Sequence, residues 1–177
     1  RQNGGGTPGM VQLISSYFFD ETPVHLNSLY YRPTDTTEEY WTLKDIQGKR
    51  MPDVDLYVLT SGRTFSAAEE FTYNLKNLNR ATIIEETPEG GAHPGGYMAI
   101  NDFMGMFVPK GKAINPITKT NWEGTGIQPH IEVPQEKALL KAQLTALEKI
   151  KVKSSPETAG QYDFAIEKLN AQMEPYI

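Results

Sequence analysis

Apolar positions fall at helical spacing in four stretches of this chain, with shorter strand-like runs between them, an order that predicts an α/β protein. After Thr7 and Pro8, a proline suited to a first helical turn, Met10, Val11, Leu13, Ile14, Tyr17 and Phe18 make an apolar stripe that ends at Asp20-Glu21-Thr22-Pro23. Residues 26–31 and 39–43 alternate aromatic and polar side chains and read as the two strands of a hairpin, and 45–52 is turn-like, with Gly48 and Pro52. Residues 54–60 are mostly apolar and β-branched or aromatic, the composition of a buried strand in an α/β sheet. A helix over 66–78 buries Ala67, Phe71, Leu75 and Leu78, and 81–84 is a short strand, so this stretch reads as a βαβ unit.

Glycines and prolines crowd residues 85–96 and predict a loop there. Residues 98–100, 106–109 and 131–133 read as strands and 116–129 as loop, while Lys110 and Lys112 flank Gly111 in a hairpin turn as a solvated pair. An amphipathic helix over 135–150 carries Leu140, Leu144 and Leu147 on one face. Residues 151–160 read as a linker, and Tyr162, Ile166, Leu169 and Met173 mark a last helix. The division is an α/β core over 1–133 and a helical C-terminal tail over 134–177.

Composition narrows the functional classes. The 177 residues suit one domain, or one domain with an appendage, and 38% hydrophobic with 22% charged content supports a packed core. Seventeen Lys+Arg against 22 Asp+Glu leave a net charge of −5 with no basic cluster, so a nucleic-acid partner is not expected. There is no apolar run long enough for a transmembrane helix, and without Cys there are neither disulfides nor thiolate sites. Three scattered His without metal-binding spacing predict no metal and no cofactor. Arg1-Gln2-Asn3-Gly4-Gly5-Gly6 reads like the end of a strand running into a glycine turn, as in a fragment of a longer protein.

The richest chemistry lies at 60–69, where the best strand meets the best helix. A helix's first turn has unpaired N–H groups and a positive dipole end, so Ser66 there can attack a carbonyl while the next N–H, that of Ala67, holds the oxyanion. Ser66-Ala67-Ala68-Glu69 is equally a capping box, and by spacing alone capping is the commoner use of such a serine. The G-x-S-x-G nucleophile elbow is absent.

Three segments in order resemble the C-terminal-processing (tail-specific) serine protease family, which also contains the tricorn protease core and the interphotoreceptor retinoid-binding protein modules. Arg1 to Gly6 is similar to the family's Asp-x-Arg-x-Asn-x-Gly-Gly turn, and Thr64 to Glu69 to its Ser-Ala-Ser-Ala-Ser-Glu segment. Gly124 to His130 is similar to its Gly-x-Gly-x-x-Pro-Asp ending. The resemblance implies a crotonase-like core of repeated β-β-α units and a polypeptide substrate, cleaved through an acyl-enzyme on Ser66. It implies oxyanion donors at Ala67 and in the glycine turn at Gly5 and Gly6, and an extracytoplasmic location. Assembly into a homo-oligomer stays open.

Residues 87–93 lack the lysine that the bacterial processing proteases use as base. The tricorn-like branch uses Ser, His and a Glu just before the last motif, where this chain has Glu123; that branch's His precedes the glycine turn, which would place the base upstream of Arg1, outside this sequence. His93, in the Gly-Gly-Ala-His-Pro-Gly-Gly loop, is the candidate base within this chain, and its bland alternative is a loop histidine bonded to backbone. His25 reads as structural or exposed, and His130, where the family has Asp, as a strand-edge residue. Family members often have Gly at the position of Glu85. Since the fold is not committed to proteolysis, a non-catalytic binding module for an apolar ligand or peptide is the alternative function.

Overall fold

The computed structural model describes residues 1–173, and its first helix starts where the chain offers the chemistry to start it. Helix α1 (Pro8–Ser16) is capped by Thr7, whose Oγ1 accepts from the Met10 N–H at 3.3 Å. Its buried side is partly polar: Ser16 Oγ donates to Gln12 O at 2.6 Å and accepts from Leu43 N at 2.8 Å, tying the helix to the segment after the first hairpin.

Two three-stranded sheets frame the molecule. Strand β1 (His25–Tyr31) runs antiparallel to β2 (Thr36–Trp41) on one side and to β7 (Gly111–Ile114) on the other, so Tyr31 faces Thr36 and Gly111. The second sheet is parallel, in the order β3 (Leu56–Thr60), β4 (Ala81–Glu85), β8 (Ile131–Glu132). Helix α2 (Ala67–Asn77) crosses from β3 to β4 as the βαβ pattern requires.

Alternate faces of α2 feed two apolar clusters. Leu75 packs with Ala81 and Ile83 against Phe19, Leu56, Val58 and Phe71, whereas Tyr73 joins Leu29, Ala92, Ala113, Trp122 and Ile127. Full burial of Leu75 and Ile83 is worth about 1.5–3 kcal/mol each, so the helix that begins at Ser66 is firmly held along its length. A 3-10 turn (Gln135–Lys137) leads into α3 (Ala138–Lys153), which packs on β3 and β4 through buried Ala138, Ala142 and Leu144. Helix α4 (Pro156–Met173) lies along α3 and buries no residue. Among the described residues, strands β5 (Gly95–Asn101) and β6 (Met104–Pro109) pair only with each other, in a hairpin whose Tyr97, Phe103 and Met104 are exposed.

Four expectations are corrected. Residues 111–114 are a strand rather than a turn: Ala113 is buried against the core, and Ala113 pairs with Leu29. Gly95 and Gly96 belong to a strand rather than a loop, pairing with Pro109 and Val108, and the approach is so close that a Cβ on Gly95 would stand 2.3 Å from Val108 O. The supposed linker over 151–160 is the junction of two helices, broken only at Ser154-Ser155 before Pro156. Strand β3 starts at Leu56, leaving Val54 exposed. Of the predicted tail, residues 174–177 lie outside the described residues.

Candidate active site

The loop from β3 to α2 is stitched to the N-terminal segment before it reaches the helix. Ser61 Oγ and Thr64 Oγ1 each donate to Arg1 O at 2.7 Å, and Phe65 N donates to Asn3 O at 3.0 Å. Asn3 Oδ1 in turn accepts from Gly5 N at 3.0 Å, which bends the triglycine segment back toward the loop. Gly5 has φ +110°, and a Cβ there would lie 2.8 Å from Ser66 Cβ and 3.1 Å from Ala67 N. Only glycine fits this approach. Its own N–H is held by Asn3, so of the two glycines expected to donate to an oxyanion, Gly5 is already spoken for and instead sits behind Ser66.

Ser66, half-buried, has φ 56° and ψ −124°, a conformation that costs a non-glycine residue of order 1–3 kcal/mol and that a simple helix cap does not adopt. The Ser66–Glu69 pair has the outline of a capping box, but only the Glu69 half closes as a hydrogen bond: its Oε2 accepts from Ser66 N at 2.8 Å, and Ser66 Oγ makes no capping bond. Glu69 is wholly buried and does more than cap. Its Oε1 accepts from Gly90 N at 2.7 Å and its Oε2 also from Gly91 N at 2.9 Å, so one carboxylate ties the serine's backbone to the loop after β4. Burial pushes the Glu69 carboxyl up from its ordinary value, and the Gly91, Gly90 and Ser66 amides pull it back.

That loop leads to the candidate base. Trp122 Nε1 donates to Gly91 O at 3.0 Å, and Glu123 Oε2 accepts from Ala92 N at 2.6 Å. Glu123 Oε1 lies 3.5 Å from His93 Nδ1, ion-pair distance rather than a formed hydrogen bond. A cavity of about 710 Å³ brings Ser66, Ala67, Gly6, His93 and Glu123 to one wall system, with Gly5 outside it. A smaller, mostly apolar cleft of about 250 Å³ lies on the other side of the glycine turn, against Met10, Val11, Ile14 and Phe71.

The remaining histidines are structural. His25 stacks on Trp41 at 4.4 Å between ring centroids, with Nε2 3.0 Å from Ser28 Oγ. His130 Nδ1 accepts from Ile83 N at 2.9 Å while its own N–H bonds Ile83 O, extending the sheet edge, and burial lowers its pKa. Glu85 holds a glycine-like φ of 114° and buries a carboxylate that Arg1 Nε meets at 2.9 Å, fastening the N-terminal segment a second time. The bonds of Glu69 to Gly90 and Gly91, and that of Glu85 to Arg1, escaped sequence reasoning, which had Glu69 only as a cap and Glu85 only as a position where the family often has Gly. Among the described residues no group of side chains could hold a metal ion, and no helix is long and apolar enough to cross a membrane.

The family model of peptidase family S41 matches residues 1–133. Among solved structures, a putative S41 protease from Bacteroides fragilis is 20% identical with a TM-score of 0.64, over 77% of this chain and 36% of that one. A putative peptidase from Parabacteroides merdae gives 20% and 0.63, over 80% and 45%. A photosystem II D1 C-terminal processing protease gives 19% and 0.58, over 76% and 33%. At these identities the likeness is one of fold, and the chain spans less than half the length of each.

Proposed function

The chain belongs to peptidase family S41, and from that premise we propose that it is a serine-type endopeptidase domain with Ser66 as nucleophile. What carries this reading is the strained Ser66 turn, held between a glycine bend and a helix N-terminus on a cavity shared with His93 and Glu123. In the first step His93 takes the Ser66 hydroxyl proton as Oγ attacks the peptide carbonyl, and Glu123 steadies the imidazolium. The oxyanion is held by the N–H groups of Ala67, at the helix start, and Gly6. His93 then returns the proton to the leaving amine, and water hydrolyses the acyl-enzyme by the reverse sequence. We also read the core as crotonase-like, supported by the parallel β3-α2-β4-β8 layer, and the location as extracytoplasmic, on the family resemblance.

A fluorophosphonate probe on the full-length protein tests the assignment. Labelling is expected in the wild type and lost in Ser66→Ala, and His93→Ala is expected to slow it by about 10²-fold or more. Labelling that survives Ser66→Ala overturns the nucleophile; undiminished labelling in His93→Ala moves the base to another residue. The alternative, a non-catalytic module for an apolar ligand or peptide, is favoured by the 250 Å³ cleft beside α1, and an unreactive Ser66 would support it.

A further inference from the structure

We propose that Glu70 forms the end of a subsite beside Ser66 that selects a basic side chain of the polypeptide substrate, a reading that rests on Ser66 being the peptidase nucleophile. Glu70 lies one helical turn beyond Ser66, its N–H bonded to Ser66 O at 2.9 Å, and both residues line the same cavity. It is 4% exposed, lines the Ser66 cavity, and its Oε1 has no hydrogen-bond partner. Buried carboxyl oxygens are nearly always paired within the protein, so the unpaired Oε1 is a hydrogen-bonding vacancy, which a donor in the cavity meets once the carboxylate turns toward it.

The neighbours do not fill that vacancy. From β1, buried Asn27 approaches closely enough to favour the Glu70 anion, yet neither its amide nitrogen nor its amide oxygen completes a hydrogen bond. Tyr31 of β1 and Tyr40 of β2 feel the charge of Glu70 without bonding it, and Tyr40 OH donates to Glu38 at 2.8 Å instead. His93 and Glu123 also line the cavity, and among the described residues no Lys or Arg lines it. Phe65, Tyr97, Phe107 and Trp122 supply aromatic walls along which an alkyl stem can lie with its cation at the carboxylate. Burial pushes the Glu70 carboxyl up to about 7, so the subsite holds a cation best where Glu70 is ionised, on the alkaline side of neutrality.

The experiment compares hydrolysis of peptides identical except for Lys or Met, one position at a time around the scissile bond. At one position the wild type is expected to favour Lys in kcat/KM by about tenfold or more at pH 8. That ratio should shrink at pH 6 and fall toward unity in Glu70→Gln. The ratio is the readout, so a general loss of activity in the variant does not imitate the effect. Should Glu70→Gln fail to fold, as judged by its melting curve, the pH dependence of the wild-type ratio decides alone. Preference for Met at every position, or a Lys preference indifferent to pH or to Glu70→Gln, overturns the proposal. Binding of fluorescent Lys and Met peptides to Ser66→Ala separates it from the peptidase reading. Glu70-dependent selection of Lys without wild-type turnover keeps the subsite and sinks the nucleophile, whereas turnover without selection does the reverse.

Discussion

Replacing Glu69 with Gln tests how the serine turn is held, because a carboxamide has only one accepting oxygen where the carboxylate uses two. Glu69 Oε2 serves Ser66 N and Gly91 N, and Oε1 serves Gly90 N. The best orientation of Gln puts its oxygen at the two-bond position and aims its NH₂ at the Gly90 N–H, donor against donor. Flipped, it opposes two donors. The orphaned buried amide costs about 1–3 kcal/mol, and the two retained bonds lose the charge that makes them roughly twice as strong as neutral ones. Working the other way, burial raises the Glu69 carboxyl, so a neutral side chain is spared part of a desolvation cost. The net expectation is a loss of about 2–4 kcal/mol in urea unfolding at pH 7.5. Because the same carboxylate fixes Ser66 N, fluorophosphonate labelling of the folded variant should also slow markedly. A variant within about 0.5 kcal/mol of wild type and labelled at the wild-type rate would refute the reasoning, since that is the range of an ordinary surface change.

Two further outcomes follow from the same geometry. Gly5→Ala combines a positive φ with a Cβ 2.8 Å from Ser66 Cβ, and is expected to cost about 2–4 kcal/mol in urea unfolding and to abolish labelling of Ser66. Glu70, pushed up by burial from 4.5 to about 7, holds a proton in the folded state that the unfolded chain has already released. Its contribution is therefore complete below pH 4.5 and lost as pH rises through 7, about 3 kcal/mol in all; the difference in unfolding free energy between wild type and Glu70→Gln, measured from pH 4 to 8, should move by about that amount.

The strand-helix-strand unit was legible because each part carries its own local signal: the apolar run before Thr60, the spacing of Ala67, Phe71 and Leu75, and the β-branched Thr82-Ile83-Ile84. Glu69 was legible as a cap, but its bonds to Gly90 and Gly91 close across 21 and 22 residues and leave no local trace. The pairing of His93 with Glu123 is of the same kind: two loops are brought together by the core packing of Trp122 and Ala92. Strand β7 was missed because four residues cannot show a period, and its pairing with β1 is decided by burial of Ala113. The positive φ at Ser66 was hidden for a different reason. Sequence rules assign such angles to glycine, and Ser66 announces none; at Glu85 the one hint was the Gly that the resembling family often has there.

Those two exceptions bear on each other. Each puts a non-glycine residue where glycine is expected, one at the start of α2 where the loop from β3 ends and the other at the end of β4; β3 and β4 pair in parallel with Thr60 opposite Glu85. The Arg1 segment is bonded to both regions, by Ser61 and Thr64 on one side and by Glu85 on the other. A helix cap would need none of this, since a serine in extended backbone accepts from its own helix without strain. The strained turn persists because bonds from Glu69, Arg1 and Asn3 over-determine it, and what they jointly fix is the position of one hydroxyl and one helix-start amide beside a glycine bend. Loosening Arg1 should therefore be felt at Ser66 before it is felt in the core.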